Sequence, residues 1–162
     1  MTLQASGPIS LTDVLNELRI ANSGRGATVS LGDSDVLSLV GKGGAPISLS
    51  DLYGKSAFKV AGNNASSSQS SINAGGTSSA SPSVTVIGGS GTITYQWTMT
   101  SYTGMTPTLS NANGSYCQVS RTFGKLTDGS FDAVLQCVVT NGNGATATVT
   151  GITAHGDWYS NR

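Results

Sequence analysis

The residue types that carry chemistry are sparse in this chain: one histidine, His155, two cysteines, Cys117 and Cys137, and eight carboxylates among 162 residues. His155-Gly156-Asp157 sets an imidazole and a carboxylate two residues apart, the types that acid–base catalysis uses. A serine lies near any point of so serine-rich a chain, so its presence says nothing, and no Gly-x-Ser-x-Gly elbow occurs. A metal site would have to join His155 to Cys117, Cys137 or scattered carboxylates, none of them at ligand spacing. Gly41-Lys42-Gly43-Gly44 lacks the Ser or Thr that follows a phosphate-binding lysine and reads as a loop. Asp33 and Asp35 suit a helix start better than a glycosidase pair. The expectation is a non-enzymatic protein without cofactor or metal. Asn64-Ala65-Ser66 and Asn113-Gly114-Ser115 match the N-glycosylation pattern and are read as chance matches in an Asn/Ser-rich chain.

Charged residues make up only 10 %, and eight basic residues balance eight acidic ones. A nucleic-acid binder needs a basic stripe to neutralise phosphates, so that class is set aside. No apolar run approaches the roughly 18 to 20 residues of a membrane span. Met1 to Pro8 has neither a basic patch nor an apolar run, so no secretory signal is expected. Synthesis in a cytosol, combined with the Ser/Thr/Gly texture of proteins that work outside cells, fits a component of an assembled particle.

The length suits one domain, or one domain with a small module. A motif recurs three times in residues 1–57: Ile9-Ser10-Leu11-Thr12-Asp13, Val29-Ser30-Leu31-Gly32-Asp33 and Ile47-Ser48-Leu49-Ser50-Asp51. Each serine can cap a helix start, and the Asp three residues later sits in the first turn, at the positive end of the helix dipole. Ile9 and Ile47 could staple onto Val14 and Leu52. Leu11, Val14, Leu15 and Leu18 recur at helical spacing, and the three motifs predict three short helices. So short a segment buries little alone, which points to a docking module completed by a partner. Its candidate docking residues are Ile9, Leu11, Val14, Leu18, Val29, Leu31, Ile47, Leu49, Leu52 and Tyr53.

Residues 58–81, mostly Ala, Gly, Asn and Ser after Phe58 and Val60, read as a linker or a first strand. From residue 82 to 162 the period becomes two. Strands are expected over 83–87, 92–99, 115–122, 131–140 and 145–152, separated by Gly88-Gly89-Ser90-Gly91, Asp128-Gly129 and Asn141-Gly142-Asn143-Gly144. Ile93, Tyr95, Trp97 and Met99 share one face, with Trp97 expected as the core anchor and Leu135 opposite it. The pattern argues for a mainly β chain, an antiparallel β-sandwich preceded by short capped helices.

Gly88-Gly89-Ser90-Gly91-Thr92-Ile93-Thr94-Tyr95-Gln96-Trp97 resembles strands B and C of an immunoglobulin-like domain. Phe131 to Asn141 and Ala145 to Val149 resemble strands F and G. The repeated motif, ending in Asp51-Leu52-Tyr53-Gly54-Lys55-Ser56, resembles the leader module of tailed-bacteriophage structural proteins that carry such a domain. The resemblance implies a virion component, present in multiple copies and docked to other virion proteins. A neck, tail or baseplate accessory is the first expectation and head decoration the second. Strand B has no cysteine near Val84 or Val86, and Leu135 stands where an antibody domain has the tyrosine of its corner, so neither antibody feature is expected.

Cys117 and Cys137 fall on what would be strands E and F, both facing inward. A disulfide there, closing a loop of roughly 20 residues, would contribute about 3 kcal/mol; two separate buried thiols fit the pattern too. The bond is expected once the surroundings are oxidising. A second function class is a host-surface glycan contact through the loop 100–108, whose bulky residues are Tyr102 and Met105.

Overall fold

The computed structural model describes residues 2–41, 46–72, 74–142 and 144–161; Lys42 to Gly44, read above as part of a loop, and Asn143 lie outside them. The first motif starts helix α1 (Leu11–Ala21) with a complete capping box: the Ser10 hydroxyl accepts from the Asp13 amide, and the Asp13 carboxylate accepts from the Ser10 amide at 2.8 Å. The third forms the same box at Ser48 and Asp51, followed by a single 3-10 turn, Leu49–Leu52. The second does not start a helix at Ser30. Asp33 accepts from the Ser30 amide at 2.9 Å and from Arg25 at 2.7 Å. With its carboxylate so engaged, residues 30–33 close a turn, and helix α2 (Ser34–Val40) begins beyond it without a side-chain cap. Gly41, at φ 72°, ends α2 in the left-handed conformation that glycine adopts at least cost.

Among the described residues nine strands follow: β1 (Phe58–Asn63), β2 (Ala65–Ile72), β3 (Gly76–Ala80), β4 (Ser83–Gly88), β5 (Thr94–Gly104), β6 (Thr108–Ser110), β7 (Gln118–Phe123), β8 (Gly129–Thr140) and β9 (Thr146–Asn161). The segment read as a linker or a first strand therefore carries three strands. Their order is β2-β9-β8-β5 in one sheet and β3-β7-β6 in another, while β1 pairs with β4. β3 and β4 are one strand course interrupted at Ser81-Pro82, where proline supplies no ladder donor. Likewise β1 and β2 are one course that changes sheets at Asn64, whose side-chain oxygen accepts from the Thr153 amide. β2 then runs parallel to β9, Ala65 opposite Ala154 and Ile72 opposite Asn161. Lettered from β1/β2 as A/A′ and β3–β4 as B, the sheets read A′GFC and BED, the order of an immunoglobulin-like sandwich.

Alternation sets the core. In β8, Phe131, Ala133, Leu135, Cys137 and Val139 are buried and their neighbours are not. Trp97 is buried as expected, while Ile93, Tyr95 and Met99 on its face are half-buried. In β9, Gly151 at φ 73° shifts the phase: Ala147 and Val149 are half-buried before it, and Ile152, Ala154, Gly156 and Trp158 are buried after it. The Trp158 ring stacks on Phe123 of the other sheet with centroids 6.0 Å apart. A side chain at Gly76 would meet that indole, and one at Gly156 would meet the Phe131 ring, so both positions need glycine.

The chain divides into two compact units. One comprises Met1–Val60 with Val86–Thr94 and Val139–Ala147; the other comprises Ala61–Thr85, Tyr95–Val138 and Thr148–Arg162. The first unit has its own apolar core: Leu3, Ile9, Val14, Leu18, Val36, Leu39, Leu52 and Ala57, with Val29, Leu31, Val40 and Ile47 packed against it.

Candidate functional site

That core takes in seven of the ten candidate docking residues. Ile9, Val14, Leu18 and Leu52 are buried within the helical unit, and Val29, Leu31 and Ile47 pack on the same cluster. The segment does bury its own apolar faces, because the β-branched residue before each serine turns inward and the N-terminal stretch adds Leu3. Of the ten candidates, Leu11, Leu49 and Tyr53 remain exposed, at 42, 37 and 36 %. Leu11 and Leu49 hold the same place in two copies of the motif, the first residue after the capping serine. The Tyr53 hydroxyl donates to the Gly7 carbonyl, which orients its ring.

A buried polar network lies within the same unit, and nothing in the sequence pattern pointed to it. One Glu17 carboxylate oxygen, on α1, accepts from the Ser56 hydroxyl and from the Ala57 amide, each at 3.1 Å. Asn141, fully buried, donates from its amide nitrogen to the Ser56 carbonyl and accepts at its oxygen from the Ser90 amide, both at 3.1 Å. The Gly142 amide donates to the Ser90 carbonyl, and the Gly89 amide to the Ala57 carbonyl. Gly89 and Ser90 on one side and Asn141 and Gly142 on the other are thereby tied to the end of the helical segment. A cleft of about 310 Å³ opens beside this network, lined in part by Leu18, Asn22, Asp35, Leu39 and Ala147. Asp33 and Asp35, at the start of α2, both pair with Arg25.

Cys117 and Cys137 are buried in the sandwich, Cys137 on β8 and Cys117 just before β7 of the other sheet. They are two free thiols and not the expected disulfide; in an apolar core each serves as a small hydrophobe. Burial, and next the neighbouring Cys137, push the Cys117 thiol up to about 12; burial also pushes Cys137 up. Neither supplies a thiolate near neutral pH, so neither is a nucleophile.

His155 lies on the outward face of β9. Its Nδ1 is 2.7 Å from Asp132 of β8 and its Nε2 is 2.9 Å from Asp157 of β9. Hydrogen bonds to Asp157 and then to Asp132 raise its pKa above the ordinary histidine value. With both ring nitrogens engaged, the imidazole has no free lone pair for a general base or a metal. Among the described residues no group of three or more His, Cys, Asp or Glu could hold a metal ion.

The loop expected at 100–108 is strand as far as Gly104. Tyr102 is exposed on β5 and its hydroxyl accepts from Thr106. Met105 is half-buried, with its sulfur against the Gly129 backbone position, so it packs and does not reach outward. No helix among the described residues is long and apolar enough to cross a membrane.

These features define a class: a mainly β protein built on an immunoglobulin-like sandwich, preceded by a small helical module with its own core. The chain matches no protein-family model, no curated protein and no solved structure.

Proposed function

We propose that this chain is a non-enzymatic structural protein of a bacteriophage virion, present in many copies. Its helical unit docks to other virion proteins and its sandwich is displayed or bridges to a neighbour, at a neck, tail or baseplate in preference to the head. The observation that carries this reading is the repeated exposure of a large apolar side chain at one motif position. Leu11 and Leu49 follow equivalent capping serines and are exposed at 42 and 37 %, outside the core that Ile9, Val14, Leu18 and Leu52 form with their neighbours. The capping boxes do not require leucine there, and apolar side chains placed in the same way at two sites suit a contact surface. The resemblance of the motif and strand segments to tailed-phage proteins supplies the context.

The test is incorporation. Purified particles should contain the wild-type chain in many copies, and a cryo-EM map should place it, separating tail from capsid decoration. A Leu11→Lys/Leu49→Lys chain should keep its thermal midpoint within a few degrees and be lost from particles. Wild-type protein absent from particles, or a double variant that assembles normally, would refute the proposal.

A further inference from the structure

We infer that His155 is a proton-operated cross-strand latch: as an imidazolium it bridges Asp132 of β8 to Asp157 of β9 on the outward face of the four-stranded sheet, and it lets go of one of them when it loses its proton. The geometry carries this. A carboxylate oxygen only accepts hydrogen bonds, so ring nitrogens 2.7 and 2.9 Å from two such oxygens must both bear hydrogen. Only the imidazolium has two N–H groups. Loss of one proton turns one nitrogen into an acceptor facing an acceptor, and that contact changes from attraction to repulsion.

The surroundings offer no substitute. On β2, Ser66 stands in register with His155 and Ser68 with Asp157, and β2 carries no charged residue. Tyr159, two residues beyond Asp157, is exposed. Asp128, near the start of β8, accepts from the Ser160 amide and is occupied there. Asp132 and Asp157 are therefore the two carboxylates that act on the ring. A latch of this kind fastens the β8–β9 ladder while the ring is doubly protonated and the two carboxylates are ionised, and loosens it as pH rises through the histidine's own midpoint. Because the side chains are 39, 63 and 23 % exposed, it tunes local opening more than global stability.

The chain has one histidine, so its ring signals need no assignment. The experiment is an NMR titration of the full chain that follows the ring ¹H and ¹⁵N shifts, together with amide exchange corrected for intrinsic rates. Both ring nitrogens should be protonated below the midpoint, and the midpoint should lie above that of histidine in an unstructured peptide. Asp132→Asn and Asp157→Asn should each lower the midpoint. Amide protection at residues 130–134 and 153–157 should fall as pH rises through the wild-type midpoint. A wild-type midpoint at or below the peptide value overturns the latch, and this measurement needs no variant to fold. A midpoint moved by only one substitution leaves a single ion pair and overturns the bridge. Protection that ignores the midpoint overturns the latch's action on the ladder.

Discussion

Replacing Asn141 with Ala should cost about 3 kcal/mol, a large share of the stability of a small domain. The amide side chain has two partners, the Ser90 amide and the Ser56 carbonyl. Each partner that loses its bond to this side chain costs roughly 1–3 kcal/mol according to its burial. The Ser56 carbonyl is in buried surroundings and belongs at the upper part of that range; the Ser90 amide is partly buried and belongs at the lower. Asn141→Asp separates the two contributions. It retains an oxygen for the Ser90 amide but sets a carboxylate oxygen against the Ser56 carbonyl, so near neutral pH it should be at least as damaging as Ala. On acidification a protonated carboxyl can donate to Ser56 again, and the Asp deficit should shrink. Urea unfolding followed by tryptophan fluorescence reads both variants as a shift in midpoint at constant slope, and exchange of the Ser90 amide reports the local loss. An Ala variant within about 0.5 kcal/mol of wild type, or an Asp variant as stable as wild type at pH 7, would show that Asn141 does not hold these segments.

Three further outcomes can be checked on the same preparations. Trp97→Ala should lose about 3–5 kcal/mol, the usual cost of removing a buried tryptophan; a loss below about 1 kcal/mol in urea melts would invert the face assignment of β5. Gly76→Ala would place a methyl 2.1 Å from the Trp158 ring and should destabilise by about 1–3 kcal/mol through overpacking, with a change in indole emission; full stability would mean that the ring does not lie over Gly76. Neither thiol should react with a disulfide reagent in the native chain at pH 8, since both are fully buried and Cys117 is pushed up to about 12, and two should react in denaturant; rapid native labelling would contradict their burial.

The elements legible in the sequence were those in which local chemistry and tertiary packing agree. The Ser-x-x-Asp boxes at Ser10 and Ser48 form because both partners lie within one turn. β8 alternates cleanly because it buries one face and wets the other, and β5 alternates from Thr94 to Met99 around the buried Trp97. β2 was obscure for the opposite reason. Ala65-Ser66-Ser67-Ser68-Gln69-Ser70-Ser71-Ile72 has a linker's composition, and only its backbone register with β9 makes it a strand. Trp158 was missed because the expected last strand stopped at Ile152, although Ala154, Gly156 and Trp158 continue the period of two. At the candidate site, the repeated motif was visible in the sequence, but which of its apolar residues face outward depends on how the turns close on one another. Single hydrogen bonds of the Glu17–Ser56–Asn141 network span up to 85 positions, and no local pattern announces it.

The parallel pairing of β2 with β9 bears on how the sandwich carries mechanical load. Eight residue pairs run side by side, from Ala65 opposite Ala154 to Ile72 opposite Asn161. Tension that draws the chain before residue 65 away from the chain after residue 161 slides these strands lengthwise past each other. The hydrogen bonds between them then share the force and must give way together, whereas an antiparallel hairpin pulled from its open end parts one bond at a time. The sheet change at Asn64 thus gives this part of the sandwich a shear clamp.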